Sequence, residues 1–198
     1  MNILENPTVA AKALILLEFQ KERNFKALDA RIGEFLEHVS QLVASFYEQN
    51  PAIARYACHS GCHWCCGFKT LVFPFEAVRM IAWLNDTLSA DQRASLLQHI
   101  EKMDKRTHNL SPKQRVKLKM FCPLLKDGVC IVYPVRPMSC RSYISTDENG
   151  CKRAFYNPSN DRVDACSYSV GLYTCVKNGI EQGFADYNID SQPGELIA

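Results

Sequence analysis

The apolar positions near the start of the chain follow a helical rhythm. Phe25, Leu28, Ile32, Phe35, Val39, Leu42 and Phe46 succeed one another at alternating steps of three and four. That is a heptad seam, widened by Leu36 and Val43, and it predicts one long amphipathic helix ended by Asn50-Pro51. Upstream, Asn6-Pro7-Thr8 is a helix-start signal for the Ala- and Leu-rich run Ala10 to Gln20. Further helices are predicted from Phe75 to Leu88 and from the capping box Ser89-Ala90-Asp91-Gln92 to about Arg106. Another follows the box Ser111-Pro112-Lys113-Gln114, and a last one runs from Ala165 to about Gln182, capped by Asp164.

Leu71-Val72-Phe73 reads as a short extended segment, Cys122 to Tyr143 as irregular chain, and Asp190 to Gly194 as loop. Asp127-Gly128 marks a turn within the irregular part, and Pro134 and Pro137 forbid regular helix there. The expected fold class is mostly α with little sheet. Residues 1-198 form a single domain: an N-terminal helical segment (1-52), a cysteine-cluster core (53-150) and a C-terminal helical extension (151-198). The seam on the long helix has to be covered. Later helices of the same chain give a monomer and a second copy gives a weak homodimer; three heptads favour cover within the chain.

Composition changes this picture little. Hydrophobic residues make up 47%, ordinary for a globular protein, so no metal is needed to replace a missing core. Net charge is +2, which argues against nucleic acid or an anionic membrane as partner. The basic stretch Lys113, Arg115, Lys117 and Lys119 alternates every second residue, spreads around a helix and reads as a solvated face. The apolar run Val9 to Phe19 is interrupted by Lys12 and Glu18, too charged to span a membrane.

Cysteine changes it greatly. The chain has ten, none before residue 58, and four of them fall in Cys58-His59-Ser60-Gly61-Cys62-His63-Trp64-Cys65-Cys66. Packing does not need four cysteines side by side, whereas thiolates spaced two and three residues apart converge on soft metals. Disulfide frameworks belong to small secreted chains, and no secretory signal is seen here, so a reduced, cytoplasmic, metal-binding chain is expected. Motifs for a serine nucleophile, a phosphate loop and a dinucleotide turn are absent. The spacing Cys58-x3-Cys62-x2-Cys65 also suits a radical S-adenosylmethionine cluster, and Cys62-His63-Trp64-Cys65 a dithiol redox pair. Neither sits in the strand–helix alternation those enzymes need.

The cluster is followed by Cys122-Pro123-Leu124-Leu125-x2-Gly128-x-Cys130-Ile131-Val132-Tyr133-x2-Arg136-Pro137-x2-Cys140-Arg141-x-Tyr143. Together the two blocks resemble the YkgJ-like cysteine-cluster family, the CxxCxxCC zinc- or iron-chelating domain, over about Cys58 to Tyr143. The first gap is three residues here rather than two. The resemblance implies bound zinc or iron, including a 4Fe-4S cluster among the options. A similar cluster occurs in flagellin lysine methylases, which implies a second reading: an iron–sulfur redox or transferase enzyme acting on a protein partner.

The candidate metal ligands are therefore Cys58, Cys62, Cys65, Cys66, Cys122, Cys130 and Cys140. Neighbouring Cys65 and Cys66 point in different directions, so one ion takes Cys58, Cys62 and one of that pair most easily. Its fourth thiolate then comes from the distal block, and one site or two both remain open. Arg136 and Arg141 are expected to offset thiolate charge, and Tyr133 and Tyr143 to pack over the site. His59 and His63 are expected to be loop histidines, and Cys151, Cys166 and Cys175 buried thiols.

Overall fold

The computed structural model describes residues 5–21, 24–51, 56–157 and 165–196. Eight α-helices lie among them: α1 (Pro7–Lys21), α2 (Phe25–Gln49), α3 (Pro74–Thr87), α4 (Ala90–Thr107), α5 (Pro112–Lys117), α6 (Met138–Ser142), α7 (Glu148–Tyr156) and α8 (Ser167–Ala185). The fold is mostly α, as expected. Capping fixes the starts. Asn24 accepts from the amides of Lys26 and Ala27 at the head of α2, and the boxes at Ser89 and Ser111 are both formed. The last helix starts at Ser167 with Cys166 at its cap and runs on to Ala185; Asp164, the expected cap, lies outside the described residues.

The seam on α2 is covered by the same chain. Leu28, Ile32, Leu36, Val39, Val43 and Tyr47 are buried in one core with Ile15 and Phe19 of α1 and Leu172, Tyr173, Val176 and Ile180 of α8. Phe35, Leu42 and Phe46 pack against that core, while Phe25, first in the seam, stays exposed. The approach of α1 to α8 is close because α8 presents Gly179 and Gly183 to it. A Cβ on Gly179 would stand 2.2 Å from the Thr8 carbonyl oxygen, and one on Gly183 2.6 Å from Ile15 Cβ.

Two elements depart from expectation. The tail read as loop contains a strand, β4 (Gly194–Glu195), antiparallel to β1 (Leu71–Val72) in the register Leu71 to Glu195 and Val72 to Gly194. The other strand pair, β2 (Leu125–Lys126) and β3 (Val129–Cys130), is a hairpin turning at Asp127-Gly128. Both turn residues have positive φ, 51° and 78°, which is why Asp-Gly suits this turn. The region around the two prolines is not wholly irregular. Pro134 sits in a 3-10 turn (Tyr133–Val135) and Pro137 caps α6. Both are helix starts, where a missing N–H costs nothing. No helix among the described residues is long and apolar enough to cross a membrane.

Candidate metal centre

The first cysteine block ends in a 3-10 turn (Trp64–Gly67), so Cys65 and Cys66 lie on successive positions of a tight coil. The second block wraps it. The Cys122 amide donates to the Cys66 carbonyl at 2.8 Å, the β2–β3 hairpin carries Cys130, and α6 carries Cys140. Buried Pro137 accepts from the Cys140 and Arg141 amides, both at 2.9 Å, which starts α6 rigidly.

The result is a cavity of about 530 Å³ onto which Cys62, Cys65, Cys66, Cys122, Cys130 and Cys140 all open. Cys58, also expected as a ligand, does not line this cavity. Its thiol donates to the Ser145 carbonyl at 3.8 Å and its sulfur accepts from the Ser145 amide at 3.4 Å. The thiols are gathered but not closed up: among the described residues no three His, Cys, Asp or Glu side chains stand ready around one point.

Burial is the main influence on these thiols. It raises Cys58, Cys62 and Cys130 above the ordinary thiol value, Cys122 to about 11 and Cys140 to about 12. Cys65 goes the other way. The Cys66 thiol hydrogen-bonds to it and the Arg136 charge acts on it, so Cys65 is held low while Cys66 is pushed up. Soft divalent metals displace thiol protons, and a site of this donor set fits zinc or iron.

Arg136 lines the cavity and its charge favours the thiolate forms of Cys58, Cys65 and Cys130. Its guanidinium lies 4.2 Å from the centre of the Tyr133 ring, and its Nε is buried with no hydrogen-bond partner among the described residues. Arg141 is placed differently from expectation. It does not line the cavity; it donates to the carbonyls of Arg136 (3.0 Å) and Pro134 (2.6 Å) and to the Ser40 hydroxyl (3.0 Å). It therefore shapes the loop that presents Arg136. Tyr143 lines the cavity, packs edge-on to Phe68 and hydrogen-bonds the Cys151 side chain.

His59 lines the cavity and His63 does not, and both rings are bonded to partners other than the thiols. His63 shares a hydrogen bond with the Gly61 carbonyl and stacks on Trp64. His59 meets Glu148 at 3.2 Å, and the Trp64 indole donates to the other oxygen of the same carboxylate at 3.3 Å. Glu148, in the first turn of α7, thus grips the cysteine loop on both sides of Cys62. This helix was not read from the sequence. Asp147 caps it by accepting from the Gly150 amide, and Phe155 fills the space that a side chain on Gly67 would occupy.

Two more placements matter. Arg115, expected on a solvated face, is buried, 3.3 Å from Glu195 of β4, and its charge reaches Cys122. Glu195 also meets Lys69 at 3.3 Å, and Leu196 of the same strand end lines the cavity. Cys166 hydrogen-bonds Tyr47, away from the cavity.

Fold and site together define a helical protein with a two-block cysteine-cluster domain. Residues 57–166 match the CxxCxxCC family model, described as a "Putative zinc- or iron-chelating domain", and the chain belongs to that family. The match extends past Tyr143 and takes in α7 with Cys151. No curated protein and no solved structure matches the chain significantly.

Proposed function

We propose that this protein binds zinc or iron through thiolates from both cysteine blocks, with Cys58, Cys62, Cys65, Cys66, Cys122, Cys130 and Cys140 as the ligand pool. The observation that supports it most is the shared cavity: six thiols from segments far apart in sequence open onto one space. The Cys66–Cys122 main-chain bond fixes their register. A metal bound here supplies Lewis acidity or, as an iron–sulfur cluster, an electron store.

The protein's own residues do the rest. Arg136 offsets the negative charge that four thiolates leave around a divalent ion, and the Tyr133 ring packs against its guanidinium. Tyr143 and Ser145 bond the outer thiols Cys151 and Cys58 and fix their directions. Leu196 and Lys69 wall the cavity on the side of the tail.

The cavity's size supports a second reading, an iron–sulfur centre serving redox or group transfer on a protein partner. A space of about 530 Å³ lies in the range of ligand sites. Anaerobic purification followed by metal analysis and a visible spectrum decides between them. Colourless protein with stoichiometric zinc supports the first reading. Brown protein with absorbance near 400 nm, the thiolate-to-iron charge-transfer region, supports the second. Purified protein that takes up neither metal overturns both.

A further inference from the structure

We propose that β4 and the residue after it form a gate over the cysteine cavity, with Leu196 as its plug and Glu195 as its latch. The inference rests on the metal-binding reading above and adds the route by which an ion enters and leaves the site.

Leu196 is a wall of the cavity brought from far along the chain. It packs against the apolar cluster of Val72, Met80, Leu124 and Val132, which Cys122 and Cys130 also border. An aliphatic side chain there binds no metal; it keeps water and ions from the distal thiols. The main chain holds this plug only weakly. The ladder is two residues long, Leu71 with Glu195 and Val72 with Gly194, and so short a pairing is marginal by itself. The Leu196 amide adds one bond, to the Thr70 carbonyl at 2.9 Å. Upstream, the Gln192 amide bonds Asp190 within the tail itself. Among the described residues, Asp190 to Pro193 make no hydrogen bond to the body of the protein. A side chain on Gly194 would meet nothing within 4 Å, so the chain has room to move there.

Side chains supply the rest of the hold. The Glu195 carboxylate bridges two cations: Oε1 lies 3.3 Å from Arg115 Nε and Oε2 3.3 Å from Lys69 Nζ. The Arg115 side chain is only 5% exposed, and Glu195 is the one carboxylate paired with it among the described residues. A buried cation that loses its partner is left uncompensated, which favours the closed position. Lys69 reaches solvent and itself lines the cavity, so the latch sits at the rim it closes. Arg115 stands on α5 and Lys69 just before β1, so both belong to the body and only Glu195 to the tail. A short ladder held by one ionic bridge opens locally without unfolding the helices behind it.

The test is thiol access in the full-length chain. Metal-free, reduced protein is treated with N-ethylmaleimide, and the labelling rate of each cysteine is read by peptide mass spectrometry. Glu195→Gln releases the latch and keeps the plug; Leu196→Ala shortens the plug and keeps the latch. Both should speed labelling of Cys122 and Cys130 by about tenfold. Cys175, on α8 and away from the cavity, should keep its wild-type rate. A rise in Leu196→Ala alone means a fixed wall, and a rise in Glu195→Gln alone means a change in thiol acidity; either overturns the gate. An equal rise at Cys175 means general unfolding and overturns it too. Zinc-loaded wild type and variants are then mixed with a chromophoric chelator, and both variants should release zinc faster. An unchanged release rate overturns the gate. Wild type that holds no zinc overturns the metal-binding reading instead, and the labelling rates still decide the gate.

Discussion

The main-chain amide of Cys122 donates to the carbonyl oxygen of Cys66 at 2.8 Å. That single bond brings the last residue of one cysteine block against the first of the other. Side chains on either residue are free to swing toward a metal, but their Cα positions are already set. Loop closure between the blocks has been met by folding, which lowers what ion binding must order.

Metal removal should therefore loosen the centre without dissolving the helices behind it. Binding at a thousand times Kd stabilises a folded state by about 4 kcal/mol. Chelation followed by hydrogen exchange should show lost protection across Cys58 to Tyr143, while α1, α2 and α8 keep theirs. Equal protection everywhere, with and without metal, contradicts this.

Arg136 is the cation that acts on Cys58, Cys65 and Cys130, whereas Arg141 braces the loop from behind. Arg136→Ala should weaken zinc binding about 10- to 100-fold, the usual cost of losing a residue that supports a metal ligand. Arg136→Lys should recover part of it, because the charge returns but the guanidinium's contact with the Tyr133 ring does not. Competition against a chromophoric chelator measures both, and a wild-type affinity in Arg136→Ala removes the arginine from the site.

Glu76 gives a pH signature. Its carboxylate is buried and accepts from the Phe73 amide at 3.1 Å and the Met138 amide at 2.6 Å, tying the heads of α3 and α6 together. Burial raises it above the ordinary 4.5, although both amides and the charges of Arg141 and Arg79 oppose the shift. A carboxyl raised in the folded state binds its proton more tightly there than in the unfolded chain. Its contribution is thus fully present below pH 4.5 and is lost as pH rises through the folded value. Glu76→Gln breaks one of the two amide bonds and should cost about 1–3 kcal/mol. The cost should be larger near pH 4.5 than at pH 7, as measured by urea midpoints of the metal-free proteins. A cost that grows with pH refutes the sign.

The helices were legible because their signals are local. The α2 seam and the boxes at Ser89 and Ser111 need only a few residues to be recognised, and all three stand where the pattern puts them. The β1–β4 pair was not, because two-residue strands cannot show alternation and their partners lie far apart in the chain. Helix α7 was hidden by Asn149 and Gly150 in its first turn, both weak helix formers held here by the Asp147 cap. Arg115 and Arg141 misled for one reason: their partners Glu195, Ser40 and the Pro134 carbonyl are brought by tertiary structure. The cysteines of the two blocks announced a site through spacing, whereas the contacts of Cys151 with Tyr143 and Ser145 come from the fold and leave no mark in the sequence.

The last prediction separates two glycines on one helix. Gly179 and Gly171 both lie within α8, yet their surroundings are opposite. A methyl on Gly179 would stand 2.2 Å from the Thr8 carbonyl oxygen and 2.8 Å from Ala11 Cβ. A main-chain oxygen cannot rotate away, so α1 and α8 would have to part along the core that also covers α2. Gly179→Ala should therefore lower stability by about 1–3 kcal/mol through overpacking. A methyl on Gly171 meets nothing within 4 Å. Gly171→Ala should raise stability by about 0.5–1 kcal/mol, because alanine loses less backbone freedom in a helix than glycine does. Both residues lie away from the cysteine cavity, so zinc content should be the same in the two variants. Thermal unfolding of both, beside wild type, reads the signs directly. Two shifts in the same direction would mean that the α1–α8 contact is not as close as described.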